Sequence, residues 1–250
     1  MLELGLPKIE VVPDSSSLAE KAAIEFILLA GEALLAGGRF TVALAGGSTP
    51  QRMYSRLSGA HLDWSSIHFF WGDERCVPPD HTDSDYRMAN EALLSHIRIP
   101  RENIHRIPGE LPAEEAAQDY EDELRRFFGG ETPHFNLVLL GLGGDGHTAS
   151  LFPGSAAVRE KVHWVAAVRH RVQPPPLVDR VTLTLPVLNE AAKVLFLVSG
   201  AEKAERLVQV LHSSYQPDLL PAQAVKPVNG TVHWLVDKAA AVKLPPQQHL

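Results

Sequence analysis

Short apolar runs alternate along this chain with longer stretches in which apolar residues recur every three or four positions. The runs Val42–Ala45, Ile67–Trp71, Phe135–Leu140 and Val194–Val198 have no polar alternation, the mark of strands buried on both faces. The first of these strands is predicted to span 39–45, and further strands are predicted at 8–12, 162–168, 180–185 and 232–236. Between them, Leu18, Ala22, Ile24, Leu28, Leu29 and Leu35 repeat at helical spacing after Ser15–Ser17, which can cap, and the run stops at Gly37-Gly38. Helices are also expected from Gln51 to Leu57 behind Pro50, from Asp83 or Ser84 through His96, and from near Pro112 past Phe127. Short ones follow at 186–191, at 201–211 and after Asp237, which can cap. Gln173-Pro174-Pro175-Pro176 is too stiff for a helix or an inner strand, and the tail 244–250 reads as loose.

Strands and helices alternating in this way predict a single α/β domain over residues 1–250. The expected architecture is an open, largely parallel, doubly wound (Rossmann-like) sheet flanked by helices, with a small additional β-containing subregion. Loops at the carboxyl ends of the strands should then converge on one edge.

Composition narrows the partners. The chain of 250 residues is 45% hydrophobic, enough for one sizeable core, and no apolar run approaches the ~20 residues that cross a bilayer. The N-terminus lacks the basic-then-apolar layout of a signal peptide. A single cysteine, Cys76, excludes an intramolecular disulfide framework and fits a reducing compartment, so a cytoplasmic location is expected. A formal charge of −7 without a Lys/Arg run argues against nucleic acid. An anionic ligand would need its positive charge from a few placed residues. Neither nucleic acid nor membrane is an expected partner, and the expected state is a monomer or a small homo-oligomer.

The chemistry gathers at strand ends. After Leu140, Gly141, Gly143, Gly144 and Gly146 surround Asp145 and His147, before Pro153-Gly154 stops any following helix within about two turns. A neutral imidazole can take a proton from water, and a nearby carboxylate can orient the ring or stabilise its cation. The alternative is a histidine tied to backbone in a tight turn; the glycine density favours the first reading. Gly141–Gly146 also matches G-x-G-x-x-G, but Pro153 cuts the helix short, Arg169-His170 stand where an acid is needed, and Asp145 would face a pyrophosphate with like charge.

After the second run, Gly46-Gly47-Ser48-Thr49 at a helix start offers free N–H groups to a phosphate, or is an ordinary N-cap. Asp73-Glu74-Arg75 follow the third run. There the guanidinium can neutralise an oxyanion or a phosphate, or simply pair with a carboxylate. Arg180 opens a strand. Lys203 sits at a helix N-terminus, where it opposes the dipole and suggests an anion, although a solvated lysine is the common case. Cys76 reads as an inert thiol. No G-x-S-x-G, no H-E-x-x-H and no histidine pair at ligand spacing near the loop supports a serine hydrolase or a metal site.

In this order, LAGGSTPQRMYSRL, WGDERCVPPDHTDSDY, FNLVLLGLGGDGHTASLFPGS, PPPLVDRVTLTLPVLNEA and SGAEKAE resemble the 6-phosphogluconolactonase family, within the superfamily of glucosamine-6-phosphate deaminases and isomerases. The resemblance implies hydrolysis of 6-phospho-D-glucono-1,5-lactone without a cofactor. His147 would be the general base and Arg75 the stabiliser of charge on the carbonyl oxygen, with Asp73 and Asp145 orienting groups. Gly46, Gly47, Ser48, Thr49, Arg180 and Lys203 would hold the phosphate. The deaminases carry a glutamate shortly after the GxDGH turn, in a segment reading FNEP. Here that segment is SLFP, with Phe152 in the carboxylate's place. A sugar-phosphate sensor that kept the clamp and lost the chemistry would have no need of His147.

Overall fold

A computed structural model describes residues 7–245. Its strands and helices, in chain order, are β1 (Lys8–Val12), α1 (Ser15–Leu35), β2 (Phe40–Leu44), α2 (Ser48–Leu57), β3 (Ile67–Trp71), β4 (Asp73–Arg75), α3 (Asp85–Ala92), α4 (Ala113–Phe127), β5 (Leu137–Leu140), β6 (Val165–Val168), β7 (Arg180–Leu183), α5 (Leu185–Leu188), β8 (Lys193–Val198), α6 (Ala204–His212), β9 (Thr231–Asp237) and α7 (Lys238–Ala241). Six strands pair in parallel in the order β1-β9-β8-β5-β2-β3. Strands β4, β7 and β6 form a separate antiparallel sheet. The large parallel sheet with a smaller β subregion is therefore as the hydrophobic pattern predicts.

Three of the unbroken apolar runs are the central strands β2, β5 and β8, and β2 and β5 are buried throughout; Ile67–Trp71 is β3, at the edge of the sheet. Side-chain alternation splits their aromatics between the two faces. Phe69 stacks on Phe26 of α1, with ring centroids 6.3 Å apart, while its neighbour Phe70 meets Phe127 of α4 at 5.0 Å on the opposite face. The connections from β2 to β3 and from β5 to β8 leave in opposite directions, so a crevice opens at the carboxyl ends of β2 and β5, the usual ligand position in such sheets.

Two tyrosines hold the strand ends that face the crevice. From α2, the Tyr54 hydroxyl donates to the Ala45 carbonyl (2.8 Å) and accepts from its N–H (3.0 Å). From α4, the Tyr120 hydroxyl does the same for Trp71, at 3.0 and 2.9 Å.

Several boundaries differ from the sequence reading. Asp14, not Ser15–Ser17, caps α1 by accepting the Ser17 N–H at 2.8 Å. The helix expected through His96 ends at Ala92, because Leu93 leaves helical geometry and buries its side chain, and a 3-10 turn follows at Leu94–His96. The strand expected from 162 begins at Val165, and the short helix expected at 186–191 spans Leu185–Leu188. Asp73, Glu74 and Arg75 do not prolong β3. Gly72 passes the chain between sheets: its N–H donates to Leu44 of the large sheet and its carbonyl accepts from Leu183 of the small one, both at 2.8 Å. Leu244 of the tail is buried, and residues 246–250 lie outside the described part.

Candidate active site

The crevice is a cleft of about 320 Å³. Gly46 and Gly47 form one side and Gly141–Gly144 with His147 another; Asp73, Arg75, Arg180 and Lys203 converge from the remaining elements. Asp145 lies behind His147, and Ser48 and Thr49 stand just beyond the cleft wall, in the first turn of α2. Five segments far apart in sequence thus meet within the space of one small molecule. A groove of about 570 Å³ near Tyr215, Val228 and Trp234 is larger, but it contains none of the residues that the sequence singles out.

The loop after β5 is closed by its own backbone. Gly143 N–H donates to the His147 carbonyl (2.8 Å), Gly146 N–H to the Gly143 carbonyl (3.1 Å), and the Thr148 hydroxyl to the Gly141 carbonyl (2.9 Å). No regular helix follows, against the expectation of a short one; the chain turns at once through an isolated bridge between Thr148 and Leu151. Inside this frame Asp145 Oδ1 accepts the His147 backbone N–H at 3.0 Å and lies 2.5 Å from Nδ1 of the ring. Because a carboxylate only accepts, Nδ1 carries a proton, and in the neutral ring the lone pair is therefore on Nε2. Burial works to raise the Asp145 carboxyl, but the hydrogen bond and charge of His147 outweigh it and leave it below the usual range. Phe152 packs against the imidazole, centroid to centroid 4.6 Å.

At the β2 end, Gly47 adopts φ 102° and caps α2, so the N–H groups of Ser48 and Thr49 have no partner within the helix. Gly46 is flush against the carboxylate of Asp85, to which a Cβ would approach within 2.0 Å. Asp85 is buried and accepts from Arg75 Nη1 at 2.7 Å; the same nitrogen donates to the Asp83 carbonyl at 2.7 Å. Burial holds the Asp85 carboxyl well above the usual carboxylate range, against the pull of Arg75 and with Glu74 and Asp73 adding to the rise. Both Arg75 and Arg180 keep a buried Nε without a partner. Arg180 is 5% exposed and Nη2 donates to the Pro176 carbonyl at 3.1 Å. Burial lowers its guanidinium from the usual value, and the Asp73 carboxylate pulls the other way.

Asp73 and Glu74 diverge. Asp73 lines the cleft and accepts from the Ser150 hydroxyl at 2.6 Å. Glu74 points to the start of α3, where it accepts the N–H groups of Asp85 (2.8 Å) and Tyr86 (2.7 Å), that of Arg75 (2.8 Å) and the Ser84 hydroxyl (3.1 Å). Lys203 belongs to a 3-10 turn, Ala201–Lys203, ahead of α6. The Cys76 thiol is half-buried and pushed up to about 11, chiefly by burial, which makes it a poor nucleophile at neutral pH. Among the described residues, no group of three or more His, Cys, Asp or Glu is arranged to hold a metal ion.

The sequence reading missed Asp85, although its place beside a capping serine was a signal. It also missed Ala149, which lines the cleft with φ 47°, a left-handed conformation that non-glycine residues rarely adopt.

Residues 13–234 match the family model described as glucosamine-6-phosphate isomerases/6-phosphogluconolactonase. A 6-phosphogluconolactonase of Nostoc sp. is 40% identical over 241 residues, covering 94% of this chain and 98% of that protein. One of Rattus norvegicus is 41% identical over 220 residues, covering 85% and 84%. The solved 6-phosphogluconolactonase of Trypanosoma brucei superposes with a TM-score of 0.86 at 32% identity, covering 96% of this chain and 99% of that one. With the family model matching most of its length and so similar a relative matching nearly all of it, the chain belongs to the family of glucosamine-6-phosphate isomerases and 6-phosphogluconolactonases.

Proposed function

We propose that this chain is a carboxylic ester hydrolase that opens 6-phospho-D-glucono-1,5-lactone to 6-phospho-D-gluconate, the second step of the oxidative pentose phosphate pathway, and needs no cofactor. The observation that carries the reading is the Asp145–His147 pair, which puts the lone pair of the neutral ring on Nε2, in a cleft shared with Gly46, Gly47 and three cationic side chains. The names of the similar proteins support the choice of substrate.

In this reading His147 Nε2 takes a proton from water as the oxygen attacks the lactone carbonyl. Asp145 stabilises the imidazolium that forms. Arg75, held by Asp85, faces the negative charge that develops on the carbonyl oxygen. Collapse of the intermediate breaks the bond to the ring oxygen, which leaves as the sugar hydroxyl with the proton from His147. Gly46, Gly47 and the free N–H groups of Ser48 and Thr49, with Arg180 and Lys203, hold the 6-phosphate, so binding energy remote from the carbonyl positions the ring. Asp73, fixed by Ser150, orients the substrate. Phe152 fills the place where a further carboxylate would be needed to shuttle protons between sugar carbons, which favours hydrolysis over isomerisation and deamination. The same reading puts the protein in the cytoplasm as a monomer or small homo-oligomer, acting on a small sugar phosphate.

The test adds purified protein to freshly generated lactone and follows 6-phosphogluconate above spontaneous hydrolysis. His147→Ala is expected to lose about 10²–10⁴-fold in kcat and still bind 6-phosphogluconate. Near-normal turnover by that variant would overturn the base assignment, and no acceleration by the parent protein would overturn the function.

A further inference from the structure

The β6–β7 connection, residues 169–179, contributes Pro174 and Pro175 to the wall of the cleft. One residue of that connection faces inward. His170 is 3% exposed, does not line the cleft, and has no part in the chemistry described above. Its backbone N–H donates to Asp179 Oδ1 at 3.2 Å. Its Nε2 lies 2.5 Å from the Pro174 carbonyl; a carbonyl only accepts, so Nε2 carries the proton. The ring lies almost flat on Phe152, with centroids 4.2 Å apart and planes 19° apart. Phe152 in turn packs on the His147 ring at 4.6 Å. Three rings therefore stand in contact from the proline wall to the His147 imidazole.

We infer that His170 is a positioning residue with two separable tasks: through Phe152 it fixes the orientation of the His147 ring, and through Pro174 it seats the wall of the cleft. This rests on the reading of His147 as the base. The His147 ring is fixed on one edge by Asp145, which restrains its rotation only about the Nδ1 contact. The ring fills the space that a Gly143 side chain would occupy, so on that side it meets bare glycine backbone, with no side chain to hold its tilt. Phe152 is the aromatic partner of that ring, and Phe152 is backed by His170. Aromatic pairs in offset or tilted contact hold their geometry with energies sufficient to bias a rotamer. The second task follows from the Nε2–H bond, the contact by which this side chain ties the loop at Pro174.

Two substitutions separate the tasks. His170→Phe keeps a ring against Phe152 and removes the donor to Pro174. It is expected to leave kcat within about twofold and to raise KM about fivefold, the loss of one hydrogen bond. His170→Gln keeps an N–H donor and removes the ring. It is expected to lower kcat about three- to tenfold, the effect of an off-rotamer base, with KM near that of the parent. Phe152→Leu interrupts the row and should reproduce the kcat loss of His170→Gln, with no further loss when the two are combined. This also serves if His170→Gln fails to fold.

A readout without substrate accompanies the kinetics. In ¹⁵N-labelled protein the His147 ring resonances should move in His170→Gln or Phe152→Leu and stay in place in His170→Phe. Equal changes of kcat and KM in the Phe and Gln variants, or unmoved His147 resonances in both ring-removing variants, overturn the inference. Retained activity in His147→Ala instead overturns the base reading, and the ring resonances in the substrate-free protein still decide whether His170 orients His147.

Discussion

A methyl group at position 143 would stand 2.1 Å from Nδ1 and 2.2 Å from Cε1 of His147, closer than any carbon can approach. The glycine is there because the imidazole occupies the space of its side chain. Gly143→Ala is therefore expected to expel the imidazole and lower kcat about as far as removing it, by about 10²–10⁴-fold, while 6-phosphogluconate still binds. Comparison of turnover and product affinity in the one variant checks this. Arg180 contributes differently. It is buried beside Asp73 with an unpaired Nε and one carbonyl partner, so it has capacity left for an anion. Arg180→Ala is expected to raise KM about tenfold or more, the cost of a charge-assisted hydrogen bond, with a smaller change in kcat. An unchanged KM would remove it from the phosphate clamp.

At the scale of elements, the site is held by helices that start or end against strand termini. α2 delivers Tyr54 to the end of β2 and α4 delivers Tyr120 to the end of β3, so each chain reaches the cleft along a fixed line. α3 is secured from outside itself. Ser84 caps it by accepting the Arg87 N–H at 3.1 Å, and Glu74 of β4 accepts the N–H groups of Asp85 and Tyr86. A glutamine at 74 has one acceptor oxygen in place of two, and its amide would face groups that also donate. Glu74→Gln is expected to lower the unfolding free energy by about 2 kcal/mol and, by loosening Asp85, to misplace Arg75. Urea denaturation measures the first effect and kcat the second; an unaltered midpoint would contradict the capping role.

For the whole molecule, acid should weaken the fold in two stages. His68 is pushed down to about 4, by burial first and then by His105 and Arg39. His105 also lies below its usual value, since burial outweighs its bond to Glu123. The unfolded chain takes up these protons near pH 6.5, so stability is unaffected above that pH and declines as the pH falls from about 6.5 toward 4. Glu25 titrates at about 2: burial opposes ionisation, but His233 and Lys193 prevail. The stability it contributes is present above the ordinary carboxylate value and is lost as the pH falls from about 4.5 toward 2. Thermal unfolding between pH 7 and 3 reads both stages. His68→Phe should flatten the first; an unchanged slope would show that His68 has no part in it.

The strand runs, most helix cores and the glycine loops with Asp145 and His147 could be read directly from the chain, because hydrophobic period, caps and turn chemistry act over a few residues. The family resemblance extended that to Arg75 and Lys203, which otherwise had two readings each, and to Arg180, which otherwise only opened a strand. What the chain could not display were relations between residues far apart in sequence. The shift of Asp73–Arg75 into a second sheet depends on Gly72 bonding to both Leu44 and Leu183. The opposed fates of Asp73 and Glu74 follow from strand alternation together with where α3 and Ser150 happen to lie. Asp85 against Gly46 and His170 behind Phe152 are likewise contacts of packing, and packing is decided only when the sheet order brings β2, β5 and the small sheet to one edge. Local sequence set which groups were present; the tertiary fold set which of them face one another.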